Sequence, residues 1–512
     1  MDSTTNSKIY NINNIKSKHI LKKIFENINK RIKLLIIKEN NKLQKKLNID
    51  LNDYKDNYKV WSSIYIEIKP SNTYGKFITI WKKDENAIER ENYYHIYFND
   101  NKQEIKNKYC LNKNDKVKKI NIKIDYKENS LNHIFAWCNG IESITFRRFY
   151  RNNIENMSGM FYECSSLKEI NFINFNTDCV TDMSDMFYEC TSLKEINLSL
   201  FNTDNVTDMS YMFHGCSSLT ELDLNNFNTN NVKEMNGLFH RCTSLEKINI
   251  LKFNTQNVTD MCKMFSNCSS LKKINLSNLI TEKVENMSKM FAKCSSLKEI
   301  NVSKFDTKNV NNMSYMFSEC SGLEKIDLSN WNTESLNDIS YMFSECSSLK
   351  EINLSNFNTM NIDNMNNLFS ECKSLKEIDL SNFNTHNATK MNGMFSNCTS
   401  LIEININNFI TKDVYNMSEM FYGCSSIKKL DLSNFNLESA NDMTKMFSKC
   451  SSLEELNIYN FNFKNINKIQ EMFSGCLSLK KIILFNLQKP YLDKHKEIFK
   501  DCPKDLIIID EH

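Results

Sequence analysis

Proline and glycine are scarce in this chain: its 512 residues hold three prolines and nine glycines. No proline stands between Pro70 and Pro490, so any strand in that interval keeps its ladder hydrogen bonds. Glycines so few and scattered form no phosphate-cradling loop of the GxxxxGKS/T or GxGxxG kind. Long apolar runs are missing too. The longest near the N-terminus is Leu34–Ile37, too short for the apolar part of a signal peptide or for a membrane span. Neither charge dominates: the net charge of +3 argues against a dedicated nucleic-acid binder. The eight histidines are scattered, and no serine, histidine and aspartate set can be placed together on so regular a chain. No catalysis, cofactor or resident metal is expected.

What the chain has is repetition. MFYECTSLKEINLSLFNTDNVTDMSY (186–211) is followed by a unit opening MFHGCSSLTELDLNNFNT and preceded by one opening MFYECSSLKEINFINFNT. Fifteen of the 18 cysteines lie on one 26-residue ladder from Cys138 to Cys502. Of the 24 methionines, 22 occupy two positions typified by Met209 and Met212, and the Phe213 and Phe201 ladders hold 26 of the 33 phenylalanines. Each unit has two halves. Leu193, Ile196 and Leu198 give the LxxLxL pattern of a short strand. Phe201-Asn-Thr203 turns the chain, with Thr203 placed as a helix N-cap. Val206, Met209, Met212, Phe213 and Cys216 then fall on one face of a helix. One unit cannot bury both faces alone, so neighbours must stack, and each buried Phe adds roughly 1.5–3 kcal/mol. The pattern predicts an α/β, right-handed solenoid of leucine-rich-repeat type, with a parallel sheet on one face and short helices on the other. Sixteen parallel strands are expected: openings at Val117 and Ile141, thirteen from Leu167 to Leu479, and one at Leu506.

The phrases MFSECSSLKEINLSNFNT (342–359) and NVTDMS (205–210) closely resemble the bacterial surface-protein 26-residue repeats of the BspA-like leucine-rich-repeat family, over about residues 138–502. That resemblance implies a solenoid and, loosely, adhesion or protein interaction at cell surfaces. The chain departs from the bacterial members by showing no lipobox, signal peptide or wall-sorting tail, which leads to a soluble, cytoplasmic expectation. Export to the cell surface by another route is the alternative.

The ends depart from the ladder as capping units do. Residues 1–50 read as a basic helical arm of net charge +8, residues 51–116 as a β-rich cap with strands near Ile64–Ile68, Phe77–Trp81 and Tyr93–Phe98, and residues 117–512 as the solenoid. Residues 17–49 are also faintly similar to an F-box opening, which would make the chain a ubiquitin-ligase substrate adaptor. The cysteine ladder offers a line rather than the tetrahedron that zinc requires. Stacked neighbours would approach disulfide distance, but the ladder lies on the apolar side, so reduced, buried thiols are expected. His214 and His240 could stack as an incidental surface pair. The function expected is therefore a non-catalytic protein-interaction scaffold, monomeric, with a protein partner, no specific nucleic acid and no membrane span. Its candidate surface is the sheet face at Glu195, Asn197, Glu221, Asp223 and Lys247, together with Tyr211, Tyr315 and Tyr341 on the other side. The Glu195 position holds Glu eight times and Lys five times from Glu169 to Lys481.

Overall fold

A computed structural model of the chain describes residues 17–26, 41–47, 62–80, 91–125, 128–463, 466–485 and 496–511. Within them, each 26-residue unit is one coil of a parallel β-solenoid. The apolar ladders supply the filling. Phe135 to Phe499 form an unbroken column of stacked rings with centroids 5.3–5.9 Å apart, within the range favoured by aromatic pairs. The Met209 and Met212 positions and the ladder cysteines pack beside it, nearly all inaccessible to solvent.

One side of most coils is a short strand. Parallel pairing begins with β6 (Ile141–Arg148) on β7 (Glu169–Phe172). It continues with β8 (Glu221–Asp223) on β9 (Lys247–Asn249) and β10 (Lys325–Asp327) on β11 (Glu351–Asn353). Next come β12 (Glu377–Asp379) on β13 (Glu403–Asn405) and β14 (Lys429–Asp431) on β15 (Glu455–Asn457). The last coils are β16 (Lys481–Phe485) and β17 (Ile507–Glu511), paired parallel over five residues. The coils at 193–198, 271–276 and 297–302 follow the same path without regular strand, so the sixteen strands expected are only partly regular.

The other side is not helical, contrary to the expected short helices. In each coil the chain runs through successive tight turns: the N–H groups of Met212, His214 and Cys216 donate to the carbonyls of Met209, Tyr211 and Phe213. The intervening N–H groups of Met209, Tyr211, Phe213 and Gly215 donate to the next coil, at Glu234, Asn236, Leu238 and His240. Two residues per coil are left-handed, here Tyr211 (φ 53°) and Gly215 (φ 71°), and an α-helix of L-residues excludes such geometry. Consecutive turns bury positions three and four apart much as a helix does, so apolar spacing alone could not separate them. Thr203 is likewise no N-cap. It is buried and brackets two coils: its hydroxyl donates to the Asn228 carbonyl at 2.9 Å and accepts from the Asn228 N–H at 2.8 Å.

The N-terminal cap contains β1 (Ile64–Pro70), β2 (Gly75–Lys76), β3 (Tyr94–Phe98), β4 (Cys110–Leu111) and β5 (Ile120–Ile124). The strand expected at Phe77–Trp81 does not form over Phe77–Ile80, where β2 has already ended at Lys76, although Phe77 and Ile78 are buried; Trp81 lies outside the described residues. The opening at Val117, expected as the first parallel strand, becomes β5, which pairs antiparallel with β1 and β3. β1 in turn lies antiparallel on β6, so the first coil's edge is covered by continuous sheet. Of the basic arm, α1 (Lys18–Glu26) and α2 (Asn41–Leu47) are described; the remainder of residues 1–50 lies outside the described residues.

Candidate functional site

The strand face presents the polar ladders. Glu195 and Asn197 are exposed, as are Glu221, Asp223 and Lys247. Lys247 Nζ lies 2.5 Å from Glu221 Oε1, and Asn249 Nδ2 donates to Asp223 Oδ1 at 2.9 Å. Similar pairs, Lys429–Glu455 at 2.8 Å and Lys350–Glu324 at 2.9 Å, recur between neighbouring coils. Their side chains are well exposed and screened by water, so they add little to stability. The Asn and Asp side chains do local work: the Oδ1 atoms of Asn197 and Asp223 each accept the N–H two residues on at 3.0 Å.

Asp and Asn differ in their effect. Each of the four three-residue strand pairs begins on a coil with Asp and ends on one with Asn: Asp223 and Asn249, Asp327 and Asn353, Asp379 and Asn405, Asp431 and Asn457. The carboxylates of Asp327, Asp379 and Asp431 sit below the usual range, held there by the N–H and hydroxyl of the serine two residues on and by the Asn of the next coil. The face also carries shallow troughs, each taking in one clamped pair: Asp327 and Asn353, Asp431 and Asn457, and Asp379 and Asn405. One, of about 820 Å³, has Lys273, Glu299, Lys325 and Glu351 on its rim and Ile274, Ile300 and Ile352 on its floor. Others of about 650 and 430 Å³ lie around Lys429–Lys481 and Glu351–Asn405.

The structure does not bring the three candidate tyrosines to this face. All lie in the turn segments. Tyr315 and Tyr341 stack 4.5 Å apart and nearly parallel, with Lys289 Nζ 4.9 Å from the Tyr315 ring centre. Tyr211 lies four coils away, over Gly237, and leaves no room there for a Cβ.

A second feature of the turn face went largely unread in the sequence. Trp137, Tyr162, Tyr188, His214 and His240 form a column across successive coils, with ring centres 5.6, 4.5, 4.2 and 4.7 Å apart. The signal was present: the position after the ladder Phe is aromatic or His in four consecutive coils and then Ser or Ala from Ser266 to Ser396. His214 is not on the surface as expected; it is 6% exposed. Burial first, then His240, Arg241 and Lys263, pushes its imidazole down to about 3. Its Nδ1 has no hydrogen-bond partner, and its Nε2 lies 3.5 Å from Glu189. Arg241 reaches Glu189 from two coils away at 3.2 Å.

The cysteine ladder is a hydrogen-bonded packing device. Cys216 donates its S–H to the Phe187 carbonyl at 3.1 Å, and the pattern repeats from Cys164 to Cys502. Burial pushes the thiols of Cys268, Cys320 and Cys398 up to about 12, which makes them poor ligands and poor nucleophiles. Among the described residues no His, Cys, Asp and Glu group has the arrangement of a metal site, and no helix is long and apolar enough to cross a membrane.

Two solved structures are similar in part. A leucine-rich repeat protein from Eubacterium ventriosum aligns over 64% of this chain and 87% of its own, at 14% identity and a TM-score of 0.38. The TLR13–ssRNA13 complex aligns over 69% of this chain and 58% of its own, at 14% identity and a TM-score of 0.19. No curated protein matches the sequence. The family described as "Mycoplasma protein of unknown function, DUF285" matches six overlapping segments: residues 129–248, 218–325, 269–377, 293–404, 320–429 and 402–506. These segments span the solenoid and most of the chain, which therefore belongs to the DUF285 repeat family.

Proposed function

We propose that this protein is a non-catalytic protein-binding solenoid whose strand face holds the partner. The observation that carries the reading is the row of troughs over the clamped strand pairs, each combining exposed Lys and Glu with a floor of Ile or Leu. A face of mixed charge selects a partner by register rather than by a long-range field. The likeness to BspA-type repeats supports interaction as the role, with adhesion as its surface-exposed form. A reducing, cytoplasmic location fits both the thiol ladder and Asn197, Asn275, Asn301 and Asn353. These asparagines form Asn-x-Ser sequences on the exposed strand face, where glycans from a secretory route would cover the binding surface.

A second reading, the adaptor, is favoured by α1, where Ile20 and Ile24 are 52% and 37% exposed. Affinity capture from the native cell separates the two, using full-length protein, residues 51–512, and a variant carrying Lys273→Glu, Lys325→Glu and Glu351→Lys. A partner kept by residues 51–512 and lost by the variant supports the strand face. A ubiquitin-ligase subunit kept by the variant and lost with residues 1–50 would establish the adaptor instead.

A further inference from the structure

The ring column on the turn face is dispensable for stacking, since six successive coils from Ser266 to Ser396 hold Ser or Ala in its place. Its presence in the first coils therefore calls for a reason other than folding. The same position holds one further tyrosine, Tyr422, and there the chain supplies a cation. Lys449, from the next coil, places Nζ 5.0 Å from the ring centre and 2.5 Å from the hydroxyl. Lys289, from the preceding coil, places its Nζ 4.9 Å from the centre of the Tyr315 ring. Ammonium groups favour aromatic faces and phenolic oxygens. At Tyr162 and Tyr188, the residues in the place of Lys449 are Glu189 and Gly215; the Glu189 carboxylate lies against Gly215, where a Cβ would come within 2.5 Å of it, so the cation found at Tyr422 is replaced by a carboxylate.

Carboxylates crowd this part of the column. Asp182 and Asp208 lie on paired coils, and Asp185 lies close enough to both for them to add to burial in raising its carboxyl to about 6. Glu163 and Asp185 are near enough to the Tyr162 ring to help burial and Tyr188 hold its hydroxyl up to about 12. Among the described residues no Lys or Arg pairs with Glu163, Asp182, Asp185 or Asp208; Asp182 and Asp208 accept from the N–H and hydroxyl of Ser184 and Ser210, and Glu189 faces the exposed Arg241 at 3.2 Å and His214 at 3.5 Å. Next to Tyr188 sits His214, 6% exposed with its Nδ1 unpartnered. The half-buried Asp185 beside Asp182 and Asp208 and the orphaned buried imidazole of His214 both disfavour the free state, and their occurrence in one place marks a functional surface.

We infer that the turn face over residues 159–215 binds a lysine- or arginine-bearing segment of another protein, with Glu163, Asp185 and Glu189 pairing with the cationic side chains and the partly exposed edges of Tyr162 and Tyr188, whose faces stack on each other and on His214, lining the site. This site is separate from the strand face, so the two can fail independently.

The test uses full-length protein and a fluorescent eight-lysine peptide, read by anisotropy, with an eight-glutamate peptide as control. Tyr162→Ser with Tyr188→Ser installs the residue that later coils hold at this position. That variant should weaken lysine-peptide binding about tenfold or more. Glu351→Gln with Glu377→Gln and Glu403→Gln removes three strand-face charges and should change it less than about twofold. Unchanged binding by the tyrosine variant, or equal loss in both variants, would overturn the site. Should the tyrosine variant fail to fold, carbodiimide cross-linking of the peptide to the parent protein decides. Adducts at Glu163, Asp185 or Glu189 uphold the site; adducts confined to Glu351, Glu377 or Glu403 refute it.

Discussion

Thr229 shows how single residues hold the coils together. It is 1% exposed, donates to the Asn254 carbonyl at 2.8 Å and accepts from the Asn254 N–H at 2.7 Å. Thr229→Val keeps the shape and loses both bonds, which should cost about 1–3 kcal/mol and lower the calorimetric melting temperature; Thr229→Ser should lose less. A Val variant as stable as the parent would show that the bracket contributes nothing. The thiols make a pH-dependent statement. Burial raises Cys268, Cys320 and Cys398 from 9.0 to about 12, so above pH 9 the unfolded state holds fewer protons than the folded one. Stability present below pH 9 should therefore fall steadily toward pH 12, and a flat melting temperature across that window would refute the buried ladder. Asp185, raised from 3.8 to about 6, has the same sign at lower pH: its contribution is lost as pH rises through 6. Asp185→Asn should therefore stabilise the free protein at pH 7 but not at pH 3.

The turn segment is the element that sequence reasoning misread, and a pair of substitutions separates the two structures. Lys293 is left-handed at φ 64°. Lys293→Val should cost about 1–3 kcal/mol, whereas Lys293→Gly should stay within about 1 kcal/mol of the parent. A helix would reverse that order, because Gly is the poorer helix former. The strand side was legible because units such as Leu219, Leu222 and Leu224 carry the LxxLxL pattern of a short strand, here β8. The turn side was not, because Met209, Met212, Phe213 and Cys216 are equally well buried by consecutive turns, and the left-handed residues at the Tyr211 and Gly215 positions are mostly Lys, Glu, Tyr and Asn rather than telltale glycines. The candidate surface was half legible. Glu195, Asn197, Glu221, Asp223 and Lys247 lie exposed on the strand face as expected, but the Asp–Asn clamps that shape it depend on which of two similar residues comes first. That rule is testable at Asn275, whose coil lacks regular strand and precedes Asn301. Asn275→Asp should slow amide hydrogen exchange over residues 271–302; unchanged exchange would refute the clamp.

At the scale of the whole molecule, the account rests on one-dimensional stacking: each coil contacts its neighbours, and the same ladders run from Phe135 to Phe499. Nearest-neighbour solenoids tolerate the loss of a complete unit because the flanking coils remain complementary. They do not tolerate half a unit, which would set strand residues against turn residues and leave buried Met, Phe and Cys without partners. Binding follows the same logic, since any strand-face partner reads several coils in register. The most direct measurement compares thermal unfolding, by circular dichroism, of two deletions beginning at the same residue. Removing residues 343–368 joins Met342 to Phe369, equivalent in register to the Met342–Phe343 step, and should leave a cooperative transition near that of the parent. Removing residues 343–355 should abolish cooperative unfolding. If the two deletions melt alike, the coil stack does not describe this protein.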